Sequence, residues 1–119
     1  MKPIYLDHAA TTPLDKTVLE KMLPYFVENY GNADSLHAFG RKAQNAVDGA
    51  RDKLAELLNV KPSELYFTSG GTESDNWAMF GTAYAAKKTG KTHILVSEIE
   101  HHAVLSAAQR LQEEGFDVE

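Results

Sequence analysis

From Leu65 onward the sequence alternates short apolar runs with helical periodicity, and that alternation leaves few folds open. Leu65-Tyr66-Phe67-Thr68 reads as a buried strand. Ser69-Gly70-Gly71-Thr72 then turns into a helix carrying Trp77, Phe80, Ala83 and Tyr84, which ends near Gly90. His93 to Ser97 is a second strand, and a helix from about His101 to Glu114 has Val104, Leu105, Ala108 and Leu111 as its inner face. Gly115 stops that helix, and Phe116-Asp117-Val118-Glu119 begins a third strand. This order predicts right-handed parallel crossovers, hence an α/β fold with a mainly parallel sheet covered by helices. Only part of that cover is present, so an apolar face built from residues such as Leu65, Phe67, Ile94 and Val96 should be under-covered. The chain is therefore expected to be one piece of a larger folded body.

The first half is helical. Ile4-Tyr5-Leu6 is extended in character and runs into a small-residue loop, Asp7 to Pro13, because Pro13 disfavours helix at the residue before it. Val18, Leu19, Met22, Leu23, Phe26 and Val27 recur at spacings of three and four, a helix starting near Asp15 that Pro24 should kink or shorten. A polar loop from Asn29 to Phe39 leads to a second helix with Phe39, Ala43, Val47, Ala50, Leu54, Leu57 and Leu58 on one face. Lys61-Pro62-Ser63-Glu64 breaks it.

Composition narrows the function classes. With 43% hydrophobic and 24% charged residues the chain is of the soluble globular kind rather than disordered. A net charge of -5 and the lack of a basic block argue against a nucleic-acid surface; Lys87, Lys88 and Lys91 sit where a helix ends, where cations complement the dipole. The absence of cysteine excludes disulfides, thiolate metal sites and a cysteine nucleophile within these 119 residues. No apolar run reaches membrane-spanning length and the opening residues are too charged for a signal core, so no membrane association and a cytoplasmic location are the default expectations.

The sharpest local feature is Phe67-Thr68-Ser69-Gly70-Gly71-Thr72-Glu73-Ser74-Asp75-Asn76, small residues where a strand hands over to a helix. Backbone amides at a helix start lack intrahelical partners and carry the positive end of the dipole, the two glycines admit a phosphate to the backbone, and Thr72 adds a hydroxyl. An ordinary capped helix, with Ser69 as N-cap and Glu73 and Asp75 in the first turn, explains the same residues. The segment by itself leaves both open. Dinucleotide, Walker and nucleophile-elbow patterns each miss a required residue.

Glu98, Glu100, His101 and His102 follow the second strand, at the end of a parallel sheet where ligands bind. Adjacent histidines point different ways and no further spaced ligands accompany them, so no metal site is expected. A histidine there can instead face a planar cofactor as a stacking ring and proton carrier. His102 is expected on the helix surface, and His93 at a strand edge.

Four segments stand out together: Tyr5 to Pro13, Gly31-Asn32-Ala33-Asp34-Ser35-Leu36-His37-Ala38-Phe39-Gly40, the glycine turn, and Glu100-His101-His102-Ala103-Val104. In this order they resemble the cysteine desulfurases of the NifS/IscS type (group I), within the class V aminotransferases of the fold-type I pyridoxal-phosphate enzymes. SufS-like relatives tend to open with Asp-Asn-Ala-Ala instead. Ala33 stands where proline is common, which bears on loop rigidity rather than chemistry.

The resemblance implies the N-terminal part of a pyridoxal 5'-phosphate enzyme. Residues 1–14 would belong with a smaller domain and 15–119 with an incomplete large α/β domain. Gly71 and Thr72 match positions that bind the cofactor phosphate, His101 matches the histidine stacked over the cofactor ring and credited with proton transfers, and Ala9 lies near substrate. The implied reaction converts L-cysteine to L-alanine, leaving sulfur as a persulfide on an enzyme cysteine for iron–sulfur scaffold or tRNA-thiolation acceptors. The implied partners are the remaining C-terminal part of the enzyme and a second copy in a homodimer. The family's anchoring lysine lies in a Ser-x-His-Lys segment that this sequence lacks, so the chain alone is expected to be inactive. Another class V aminotransferase or lyase, and a non-catalytic interaction fragment, are the alternatives.

Overall fold

The computed structural model describes residues 3–119, so Met1 and Lys2 of the opening 1–14 segment lie outside the described residues. The chain divides into two compact units, Met1–Leu65 and Tyr66–Glu119.

The first unit contains two helices, α1 (Lys16–Val27) and α2 (Ala38–Leu58), and a short 3-10 turn at Pro62–Glu64. Asp15 caps α1, its carboxylate accepting from the amides of Thr17 at 2.8 Å and Val18 at 3.2 Å. Pro24 sits inside α1 without breaking it, and the helix closes within a turn of it as Glu28 and Asn29 both donate to the Pro24 carbonyl. Pro24 has no amide to give, so its cost falls one turn upstream.

Between the helices, the Asn32 side chain accepts from the Asp34 amide at 2.9 Å, an Asx turn that holds the loop around Ala33 without a proline. This loop lies close on the start of α2. A Cβ on Gly31 would stand 2.7 Å from the Phe39 carbonyl oxygen, and one on Gly40 would fall on the carbonyl of Ser35. His37 caps α2, its Nδ1 accepting from the Gly40 amide at 3.2 Å. At the other end Asn59 adopts the left-handed conformation (φ 55°) and Val60 donates to the Ala55 carbonyl. The apolar stripe expected of α2 is present, yet Phe39, Leu54, Leu57 and Leu58 are exposed and only Gly40 and Ala55 are buried.

The second unit packs α3 (Gly71–Lys87) against α4 (His102–Glu113) and a parallel pair, β1 (His93–Ile94) and β2 (Asp117–Val118). The pair is in register His93 to Asp117 and Ile94 to Val118, and α4 is the crossover that joins the strands. Further backbone bonds from Asp117 to Thr92, Glu119 to Ile94 and Val96 to Glu119 extend the ladder. The core is Ala83, Leu111 and Phe116, with Met79, Phe80, Ile94 and Val118 against it; the Leu111 side chain is fully buried. At the strand edge His93 Nε2 lies 3.4 Å from a Glu119 carboxylate oxygen.

This is the α/β class, with one correction. Leu65 to Thr68 is not a strand, and Tyr66 and Phe67 are more than half exposed. A strand exists only where a neighbour completes its ladder, and among the described residues the sheet is β1 and β2. Tyr66 instead rests against Trp77, with ring centroids 5.1 Å apart. No helix among the described residues is long and apolar enough to cross a membrane.

Candidate active site

The glycine turn opens α3, but not as the capped helix the residue types allowed. Gly70, not Ser69, occupies the cap position, and no side chain caps the first turn. The intrahelical ladder is joined at Ser74, whose amide donates to the Gly70 carbonyl at 3.1 Å. Amides before that point face out of the helix end with the positive pole of the dipole behind them.

Ser69 is held by Glu73, whose carboxylate accepts from the Ser69 amide at 2.6 Å and its hydroxyl at 2.7 Å. Those bonds hold the Glu73 carboxyl below its ordinary range. They also draw its charge back toward Ser69. A second clasp joins the Thr68 and Ser74 hydroxyls at 2.6 Å.

Neither glycine of the turn is required by the chain itself. A Cβ added to Gly70 or Gly71 would meet nothing within 4 Å, and neither has the left-handed backbone that favours glycine. Open space above uncapped amides, next to the exposed Thr72, is what a phosphate group needs.

His101 is the N-cap of α4. Its Nδ1 accepts from the Ala103 amide at 3.1 Å, so in the neutral ring the proton lies on Nε2. His102 begins the helix proper and its ring meets that of His101 edge-on at 6.4 Å between centroids. Both are exposed. One side chain links this histidine to the glycine turn. Asn76 Nδ2 donates to the Thr72 carbonyl at 2.8 Å and to the Ala103 carbonyl at 3.4 Å.

Gly71, Thr72 and His101 are thus brought together within the second unit, at the N-terminal ends of two packed helices. Ala9 belongs to the first unit, in a turn where the Ala10 amide donates to the Asp7 carbonyl at 3.2 Å. Lys87 lies in the last turn of α3 with Nζ 4.6 Å from the centre of the Phe116 ring, a packing role. Sequence reasoning missed Asn76, and it missed histidine as the capping residue at both His37 and His101. The one local signal for Asn76 was a poor helix former four residues after Thr72.

Residues 4–119 match the family profile described as aminotransferase class-V. The chain belongs to that family. Class-V aminotransferases are in general pyridoxal-phosphate enzymes. Cysteine desulfurase IscS of Clostridium botulinum (strain Kyoto / Type A2) is 51% identical over 117 residues, 98% of this chain and 29% of that protein. Putative cysteine desulfurase IscS 1 of Bacillus subtilis (strain 168) is 50% identical over 118 residues, 99% of this chain and 31% of that protein. Among solved structures, a NifS-like protein superposes with a TM-score of 0.90 at 41% identity, over 98% of this chain and 32% of its own. Another, SspA in complex with cysteine, gives 0.87 at 41% identity, over 97% and 33%. The chain therefore spans less than a third of the length of these two curated relatives. The residues at the start of α3 fit the phosphate of the family's cofactor: outward amides, a free approach over two glycines and a hydroxyl donor.

Proposed function

We propose that these residues form part of a pyridoxal 5'-phosphate-dependent cysteine desulfurase, acting on L-cysteine and passing its sulfur to an acceptor protein. The observation that carries the reading is the uncapped α3 start with open space over Gly70 and Gly71, tied to a histidine whose Nδ1 is already engaged. Relatives named cysteine desulfurase at about half identity, and the similar structure of SspA in complex with cysteine, support the substrate.

In this reading the amides of Gly71 and Thr72 and the Thr72 hydroxyl hold the cofactor phosphate. When bound, the cofactor supplies an electron sink for carbon–hydrogen and carbon–sulfur chemistry at the amino acid. His101 serves the ring end. With Nδ1 fixed by the Ala103 amide, Nε2 is the atom that holds or moves a proton, while His102 stays outside the site. Glu73 keeps the turn in shape through its two bonds to Ser69. Ala9 contributes to the substrate loop, residues 1–14 go with a smaller domain, and 15–119 with the large cofactor-binding domain. The balance is L-cysteine plus an enzyme thiol giving L-alanine plus an enzyme persulfide. The 119 residues contain neither a cysteine nor a Ser-x-His-Lys segment; in this reading the thiol and the anchoring lysine belong to the rest of the complete enzyme, which works as a homodimer.

The test is turnover in the complete enzyme. Alanine formation from L-cysteine should fall about 100-fold or more in His101→Ala, the scale of a lost general acid–base, and by far less in His102→Ala. Equal losses, or the reverse order, would remove His101 from its role.

A further inference from the structure

Asn76 is a half-buried side chain one helical turn beyond Thr72, and it is bonded in two directions. One N–H of its amide goes to the Thr72 carbonyl in the first turn of α3, the other to the Ala103 carbonyl in the first turn of α4. The amide of the same Ala103 donates to His101 Nδ1. The bonds run unbroken from the glycine turn to the imidazole. Both acceptors are carbonyl oxygens, so only the orientation with Nδ2 inward satisfies them.

The rest of the α3–α4 contact cannot set this geometry alone. Ala83, Leu111 and Phe116 bring the helices together through apolar packing, which is non-directional. A second directional tie, the Tyr84 hydroxyl donating to Glu114 at 2.7 Å, lies at the opposite ends of the two helices. At the N-terminal ends of α3 and α4, Asn76 supplies a directional link among the described residues.

We propose that Asn76 is the positioning residue that fixes His101 in place and tautomer relative to the Gly70–Thr72 turn. The inference rests on the cofactor reading of that turn and of His101. It also gives an Asn inside a helix a reason to be there.

The test uses the full-length protein, with nitrogen-15 histidine labelling read first without cofactor. Wild-type His101 should show a protonated Nε2 and an accepting Nδ1. Asn76→Ala should blur that signature into mixed tautomers. Asn76→Asp, the same shape but acceptor-only, should do so more strongly because its carboxylate faces two carbonyl oxygens. In the loaded enzyme, kcat with L-cysteine should fall about 10- to 100-fold, the scale of a displaced catalytic group. KM should stay within about threefold, as expected when ground-state binding is spared. Tyr84→Phe is the control: it cuts the other tie between the same helices and should leave the His101 signals unchanged.

Unchanged ring signals and kcat in both Asn76 variants would overturn the proposal, as would Tyr84→Phe matching them. If the Asn76 variants do not fold, the wild-type ring decides: a proton on Nδ1 overturns the proposal, and one on Nε2 with a slowly exchanging Ala103 amide supports it. Thr72→Val and His101→Ala separate the two levels. If both behave as wild type, the site reading fails and takes this inference with it. If both act while Asn76→Ala is silent, only the inference fails.

Discussion

Replacing Thr72 by valine isolates one donor of the proposed phosphate site. The two side chains have the same shape and nearly equal helix propensity, so α3 should form as before. Thr72 is the second residue of α3 and is exposed; its carbonyl bond to Asn76 belongs to the backbone and survives the change. The outward amides of the turn also survive. What is lost is a single hydroxyl bond to a charged group, worth about 1.5–3 kcal/mol net. That corresponds to a dissociation constant for pyridoxal phosphate raised about 10- to 100-fold, since about 1.4 kcal/mol is a factor of ten. The assay is equilibrium dialysis of cofactor-free complete enzyme against pyridoxal phosphate, with thermal unfolding of the apoprotein alongside. Thr72→Ser restores the donor and should recover most of the affinity. A Thr72→Val protein that binds within about twofold of wild type, well under the cost of one lost bond, would refute the reasoning.

Three further predictions concern the fold of the two units and the glycine turn. Leu111→Ala in the complete enzyme should cost about 2–5 kcal/mol in urea unfolding, because its fully buried side chain anchors α4 on α3 and little can collapse into the space; a cost under about 1 kcal/mol would contradict the packing. Gly40→Ala should destabilise by about 1–3 kcal/mol or more, since its Cβ falls on the Ser35 carbonyl. Gly49→Ala, in open space inside α2, should instead stabilise by about 0.5–1 kcal/mol, and thermal unfolding of the pair should show opposite signs. Glu73 is the acid-sensitive element of the turn. Its carboxyl is lowered in the folded protein by bonds from Ser69, so its contribution is present above the ordinary carboxyl value of about 4.3 and is lost as pH falls through the lowered one. The Ser69 amide resonance should follow that titration in wild type and lose it in Glu73→Gln.

The helices were legible because periodicity is a local property. The expected start near Asp15 and the span from about His101 to Glu114 differ from the observed Lys16–Val27 and His102–Glu113 by a residue at each end compared. The strand assigned to Leu65–Thr68 failed because an apolar run specifies a strand only together with a neighbour. Tyr66 turned instead to Trp77, eleven positions along, a contact no pattern rule reports. The glycine turn stood out from residue types alone, although its cap did not: Ser69 is a favoured N-cap, yet its hydroxyl donates to Glu73, and Gly70 takes the place. The two histidine caps were hidden by the usual preference for Ser, Thr, Asp and Asn. Asn76 was hidden for a different reason, since its second acceptor lies in another helix, at Ala103.

The measurement that bears most directly on the central claim is a high-resolution structure of the complete protein with pyridoxal phosphate. The phosphate should lie within hydrogen-bonding distance of the Gly71 and Thr72 amides and the Thr72 hydroxyl, with the His101 ring on the cofactor and its Nδ1 still accepting from the Ala103 amide. A phosphate bound away from the start of α3, or a cofactor ring contacted by His102 in place of His101, would contradict the account.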